Sequence, residues 1–184
     1  MKKMDTRTRV LTGAVAVMAL GAGTFGAVSA NAEETPAAAP AKAVDTAKSN
    51  TFETSHLTVE SATKAAQAAL DAAQKNGQKV SVAVVDRNGN TVVTLRGDGA
   101  GPQSYESAER KAFTAVSWNA PTSELSKRLA QVPNLKDIPG TLFLGGGAPV
   151  QLKGAPIAGI GVAGAPSGDL DEQFAQAGVA ALGK

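Results

Sequence analysis

The stretch Lys79-Val80-Ser81-Val82-Ala83-Val84-Val85-Asp86-Arg87-Asn88-Gly89-Asn90-Thr91-Val92-Val93-Thr94-Leu95-Arg96 decides the fold. Its first half is apolar or small on both alternating faces, which predicts a central strand covered on each side. Asn88-Gly89 tolerates the positive φ angles of a tight I′ turn, and Thr91 to Arg96 then reads as the antiparallel partner. Upstream, Thr58 is a plausible N-cap for a helix whose apolar positions Val59, Ala62, Ala66, Ala69, Leu70 and Ala73 recur near a 3.6 period. Lys75, Asn76 and Gly77 supply a basic last turn and a glycine stop.

Downstream, Gly97 to Pro102 reads as a loop. Ser104 is expected to cap a second helix running to about Trp118, with Ala108, Ala112, Ala115 and Val116 on one face. Pro121 and Thr122 open a short third helix around Leu125 and Leu129, and Pro133 and Pro139 bracket an irregular link. Leu142-Phe143-Leu144 is a short apolar run before three glycines, Gly145 to Gly147. Val150 to Lys153, a turn at Gly154-Ala155 and Ile157 to Ala163 form a second hairpin. Asp169 to Glu172 has capping-box spacing at the head of a last helix striped by Leu170, Phe174, Ala177 and Ala181. The expected class is α+β, with antiparallel strands and helices on the sheet faces.

The N-terminus predicts export. Lys2, Lys3, Arg7 and Arg9 face a single acid, Asp5, and no charge follows from Val10 to Ala32. A basic segment, an apolar run and Ala30-Asn31-Ala32 make a signal peptide over residues 1–32, cleaved after Ala32 or, alternatively, at the Ser29-Ala30 bond. The competing reading is a membrane anchor, against which Gly13, Gly21, Gly23 and Gly26 dilute the stretch. Arg7 and Arg9 are separated by Thr8, so the twin-arginine pattern is absent as written. Residues 33–54, rich in Ala and Pro, read as a flexible tether, and residues 55–184 as one domain.

Composition narrows the chemistry. Of 18 basic and 16 acidic residues, the first 32 hold four and one, leaving 14 and 15. Residues 33–184, with a net charge of −1, have no basic footprint for nucleic acid. Cys is absent and all three Met lie in the leader, so disulfides, thiolate ligation and thiol nucleophiles are excluded. One His remains, His56, with one Tyr, Tyr105. A lone imidazole cannot build a zinc site from His and Cys, but haem needs only one or two axial ligands. The plainer alternative for His56 is an exposed, idle side chain. No G-x-S-x-G motif supports a hydrolase, and the glycine runs lack the rest of a phosphate loop; close strand–helix packing explains them better.

Glu106 and Glu109 sit three apart on the second helix and so share a face, with Tyr105 one turn before Glu109. Such carboxylates can ligate iron or a hard cation; the alternative is that Glu106 pairs with Arg110. Thr141 could offer a hydroxyl to haem iron or simply cap a turn.

These fragments match a known pattern in order and spacing. They are Leu57-Thr58-Val59-Glu60-Ser61-Ala62, Val82 to Gly89, Asp98-Gly99-Ala100, Ser107-Ala108-Glu109-Arg110-Lys111-Ala112, Thr114-Ala115, Pro121 to Leu125, Gly145 to Val150, and Ile160 to Gly164 with Asp171-Glu172. Over residues 57–184 the chain resembles the haem-degrading domain family, GlcG/HbpS-like. The resemblance implies a profilin-like α/β/α sandwich around a five-stranded antiparallel sheet, and a homo-oligomer, often an octamer. With a signal peptide it implies the secreted group, extracellular or cell-wall associated, that binds haem and iron and partners a membrane sensor histidine kinase in a two-component, oxidative-stress system. In that group an acid-x-x-acid pair binds iron; it falls on Glu106 and Glu109, with Lys111 beside them. The haem candidates are His56, Tyr105 and Thr141. The family name implies haem breakdown, for which no catalytic dyad is visible. The alternatives are a small-molecule binder without haem chemistry and a haem-degrading enzyme.

Overall fold

Thr58 opens the first helix as the sequence predicts: its hydroxyl oxygen accepts from the Ser61 N–H at 3.1 Å. Helix α1 runs Val59–Lys75 and stops at Asn76 and Gly77, whose φ is 68°. In this computed structural model, which describes residues 43–183, the other elements are β1 (Ser81–Asp86), β2 (Thr91–Arg96), α2 (Ser104–Trp118), α3 (Thr122–Arg128), β3 (Gly147–Leu152), β4 (Ala155–Ala163) and α4 (Gly168–Ala180). The chain divides into two units, Met1–Asp45 and Thr46–Lys184, and every element here belongs to the second. The expected leader and residues 33–42 of the expected tether lie outside the described residues. Among the rest of that tether, Lys48–Asn50 forms a turn of 3-10 helix.

The sheet order is β2-β1-β4-β3, antiparallel throughout, so β1 is central as its two apolar faces require. Among the described residues four strands form, not five. Leu142–Leu144 does not pair, because its N–H groups are engaged elsewhere: that of Leu142 donates to the Thr114 hydroxyl of α2 at 2.8 Å and that of Leu144 to the Leu142 carbonyl at 2.9 Å. Phe143 turns instead into a satellite cluster, its ring centroid 5.2 Å from that of Trp118.

Side chains alternate across the sheet with period two. Val82, Val84, Ile160 and Val162, all fully buried, face α1 and α4; each contributes about 1.5–3 kcal/mol of burial. The opposite face is made of small residues. Gly147 pairs with Gly161, and Gly159 lies beside Val85. A Cβ on Gly161 would collide with the Ala108 carbonyl oxygen, and one on Gly159 with that of Ala112. Helix α2 thus rests its backbone directly on the strands.

Several local expectations change. Val59 is exposed although its spacing puts it on the α1 stripe. Ser104 does not cap α2; it is buried, donating to the Gly101 carbonyl at 2.6 Å and bonded to Ser81 at 2.8 Å. Helix α4 is capped by Ser167, so no capping box forms at Asp169. Its buried stripe is Phe174, Ala175 and Gly178, since Gly178 lets it approach α1 closely at Ala65.

The I′ geometry moves to the other hairpin. At Arg87–Asn90 only Gly89 has positive φ, and the Asp86 carboxylate accepts from the Asn88 and Asn90 N–H groups at 2.8 and 2.9 Å, supporting a longer turn. Lys153 and Gly154 carry φ of 52° and 81° and make the two-residue connection between β3 and β4. Lysine is strained there. Lys153→Asn is expected to raise stability by about 0.5–1 kcal/mol, measurable as a higher urea midpoint at unchanged slope.

Candidate functional site

Because α2 lies flat on the glycines, its outer face is open. Glu106 pairs there with Arg110 at 2.5 Å, both well exposed. Glu109 is half-buried and accepts from the Thr94 hydroxyl of β2 at 3.2 Å. Tyr105 is exposed on the first turn of α2. Among the described residues, no group of three or more His, Asp or Glu converges as a metal site.

Lys111 does not join this face. Its side chain is 2% exposed, and its ammonium donates to Asp171 of α4 at 2.7 Å and to the Val162 carbonyl at 3.0 Å. Two residues past Glu109 is about 200° around a helix, so the spacing itself carries the signal that the two point apart. Burial pushes the Asp171 carboxyl above its ordinary value, while the Lys111 ammonium and the Ala165 N–H pull it back. Glu172, next along α4, accepts from the Ser123 N–H at 2.9 Å and its hydroxyl at 2.6 Å, tying α4 to α3.

His56 stands apart from α2, at the β1–β2 turn. Its Nδ1 is 3.9 Å from Asp86 Oδ2, and its Nε2 is 2.8 Å from the Thr54 hydroxyl. Burial is the largest single influence on the Asp86 carboxyl and pushes it up, but hydrogen bonds from Asn90 and Asn88, with His56 nearby, together outweigh it and hold the group below its ordinary value of 3.8. Thr141 is 7% exposed and donates its hydroxyl hydrogen to the Ile138 carbonyl at 2.8 Å, so it does cap a turn.

A cleft of about 260 Å³ relates several of these residues. Its lining includes Glu109, Arg110, Phe113, Gly89 and Gly140. The Phe113 ring packs against the two glycines, which have φ of 88° and 78°. Glu109 is in its wall, Thr141 follows wall residue Gly140, and Asp86, which faces His56, begins the turn carrying Gly89. Tyr105 and Lys111 do not line it. The sequence names Gly89 only as a turn residue and gives no signal for Phe113 or Gly140, because no local pattern joins three positions so far apart in the chain. A larger cleft of about 440 Å³, beside Ser123, Lys127, Leu144 and Ser167, is lined by hydroxyls and contains none of the candidate residues. The smaller cleft, apolar with a carboxylate and a guanidinium at its rim, suits a flat amphipathic ligand better.

Comparison with known proteins gives this geometry its context. A crystal structure of HbpS is 76% identical, covering 77% of this chain and 100% of that one with a TM-score of 0.76. A double mutant of Streptomyces reticuli HbpS, with two glutamates three positions apart changed to aspartate, is 74% identical, covering 81% and 100% at a TM-score of 0.75. A crystal structure of PduOC in complex with haem is 30% identical, covering 69% and 95% at a TM-score of 0.63. Corrinoid adenosyltransferase PduO of Salmonella typhimurium is 34% identical over 121 residues; the match takes in 63% of this chain but only 36% of that protein. The family model for haem degrading protein HbpS-like matches residues 57–180. A match over that span, carrying both hairpins and helices α1 to α4, means that the chain belongs to the HbpS-like family of haem degrading proteins.

Proposed function

We propose that this protein binds haem and iron outside the cytoplasm, as a redox- and iron-sensing accessory to a membrane sensor histidine kinase, and that it works as a symmetric homo-oligomer. The observation that carries the haem reading is the solved haem complex of a relative sharing this fold at 30% identity. The donor chemistry here is compatible with it. His56 offers an imidazole backed by a carboxylate, Tyr105 an exposed phenol, and Arg110 a guanidinium suited to a propionate. Thr141 would first have to release Ile138. At about 260 Å³ the Phe113 cleft is below the usual range for small-molecule pockets and would hold only part of a macrocycle. A bound haem would supply redox-active iron; the chain's own part is to orient ligands and shield one edge.

For iron outside haem, Glu106 and Glu109 are the proposed ligands, with water or a second copy completing the shell. The three-residue spacing of the glutamates altered in the HbpS variant supports this choice. Lys111, with two hydrogens committed in the core, serves by holding α2 in place. Exposed Val132, Ile138, Leu144 and Leu152 are apolar side chains that assembly would bury.

Haem titration and iron-binding isotherms test the reading. A Soret shift at defined stoichiometry is expected, altered in His56→Ala. The Glu106→Ala/Glu109→Ala variant should keep the Soret position, which the axial ligand sets, and bind iron at least about tenfold more weakly. Parent-like iron affinity would reduce Glu106 to the surface partner of Arg110. No spectral change in a folded parent would favour a different small ligand, and a biliverdin-like product under reductant would favour haem breakdown, which the family description names.

A further inference from the structure

Among the described residues, His56 lies between two oxygens of different character. Asp86 Oδ2 lies 3.9 Å from Nδ1, where it acts through its charge rather than by a direct hydrogen bond, and the Thr54 hydroxyl lies 2.8 Å from Nε2. Asp86 is itself fixed: its Oδ1 accepts from the Asn88 and Asn90 N–H groups at 2.8 and 2.9 Å, and its Oδ2 from the Asn90 side-chain amide at 3.2 Å. A carboxylate has no hydrogen to donate, so the ring atom facing it is favoured as the one bearing the proton. A hydroxyl can donate, so it satisfies a bare nitrogen. We infer that Asp86 is a positioning residue: it sets His56 in the Nδ1–H tautomer and leaves Nε2 as the basic atom, capped by a Thr54 hydroxyl that an incoming metal centre displaces.

This rests on the haem reading only for its second half. Asp86 touches no ligand; it acts by deciding which nitrogen carries the lone pair. Thr54 opposes it by occupying that lone pair. The two neighbours therefore have opposite effects on one atom, which a purely structural role for either would not produce.

The chain has a single His, so its imidazole nitrogens give an unambiguous NMR signal. The tautomer is read from ¹⁵N shifts of the metal-free protein, well above the ordinary imidazole pKa of about 6.5. The parent should show the proton on Nδ1. Asp86→Asn retains an oxygen for the Asn88 and Asn90 N–H groups, so the turn persists, but it can present an NH2 donor to Nδ1 and should move the proton to Nε2. Thr54→Val should leave it on Nδ1. With ferric haem as probe, Asp86→Asn is expected to lower affinity about tenfold and Thr54→Val to raise it severalfold. A parent with the proton on Nε2, or an Asp86→Asn protein with an unchanged tautomer, would overturn the inference. If the tautomers behave as stated and haem leaves no spectral change in the parent, the orientation of His56 stands and the haem reading falls.

Discussion

Gly161→Ala should lower the melting temperature by about 10 °C or more. The added methyl would run into the Ala108 carbonyl oxygen and lie within 2.6 Å of the Ala112 N–H. Neither is the end of a flexible side chain; both are backbone atoms of α2. Relief requires α2 to lift from the sheet, opening its contacts with Ala83 and Val85. Overpacking of this kind costs about 3 kcal/mol at the upper end of its usual range. Gly183→Ala, where a Cβ meets nothing, is the control and should melt with the parent. Equal melting of the two variants, followed by circular dichroism, would show that α2 is not seated on the glycines. A shift of α2 would also move Glu106 and Glu109, so iron binding in Gly161→Ala should weaken along with stability.

Lys111→Met should cost about 3–5 kcal/mol near neutral pH, because it leaves Asp171 as a buried charge without its counterion. The double variant Lys111→Met/Asp171→Leu should recover much of that loss, since an apolar pair of similar volume needs no solvation. The pH dependence has a definite sign. Asp171 is already raised in the folded protein, chiefly by burial. A carboxyl with a higher pKa folded than unfolded binds its proton more tightly in the native state, so its contribution to stability falls as pH rises from the unfolded value of about 3.9 through the folded one. Removing Lys111 takes away the charge that opposes this, so the folded value climbs further. Lys111→Met should therefore be closest to the parent in acid and fall away as pH increases through the raised folded value. Urea titrations across pH test this; a variant whose deficit is the same at all pH values would contradict it.

Much of the fold depends on short-range pattern and was legible in the sequence. Apolar or small residues on both faces placed β1 inside the sheet, Ala spacing placed α1 and α2 in close packing, and the glycine runs near 146 and 160 pointed to close strand–helix packing. These features need only neighbours along the chain, so sequence order alone expresses them. Turn type did not follow in the same way. Asn88-Gly89 has the stronger I′ composition, but the Asp86 carboxylate accepts two N–H groups of that loop and stabilises a longer turn. Lys153-Gly154 adopts the tight form because strand pairing leaves only two residues for it. The Leu142–Leu144 run has the composition of a strand and lost that state to Thr114, a residue on α2 that takes up its N–H.

The site divides along the same line. Residue types and spacing were enough to nominate His56, Tyr105, Glu106 and Glu109, because ligand chemistry belongs to single side chains and one helix face. Only the tertiary structure pairs Lys111 with Asp171, sixty residues away, brings Asp86 to His56, and gathers Gly89, Phe113 and Gly140 into one cleft. Those contacts join side chains from separate elements. Their distances are set by how α2 and the two hairpins pack on the sheet, and packing geometry is not written in any local stretch of the chain.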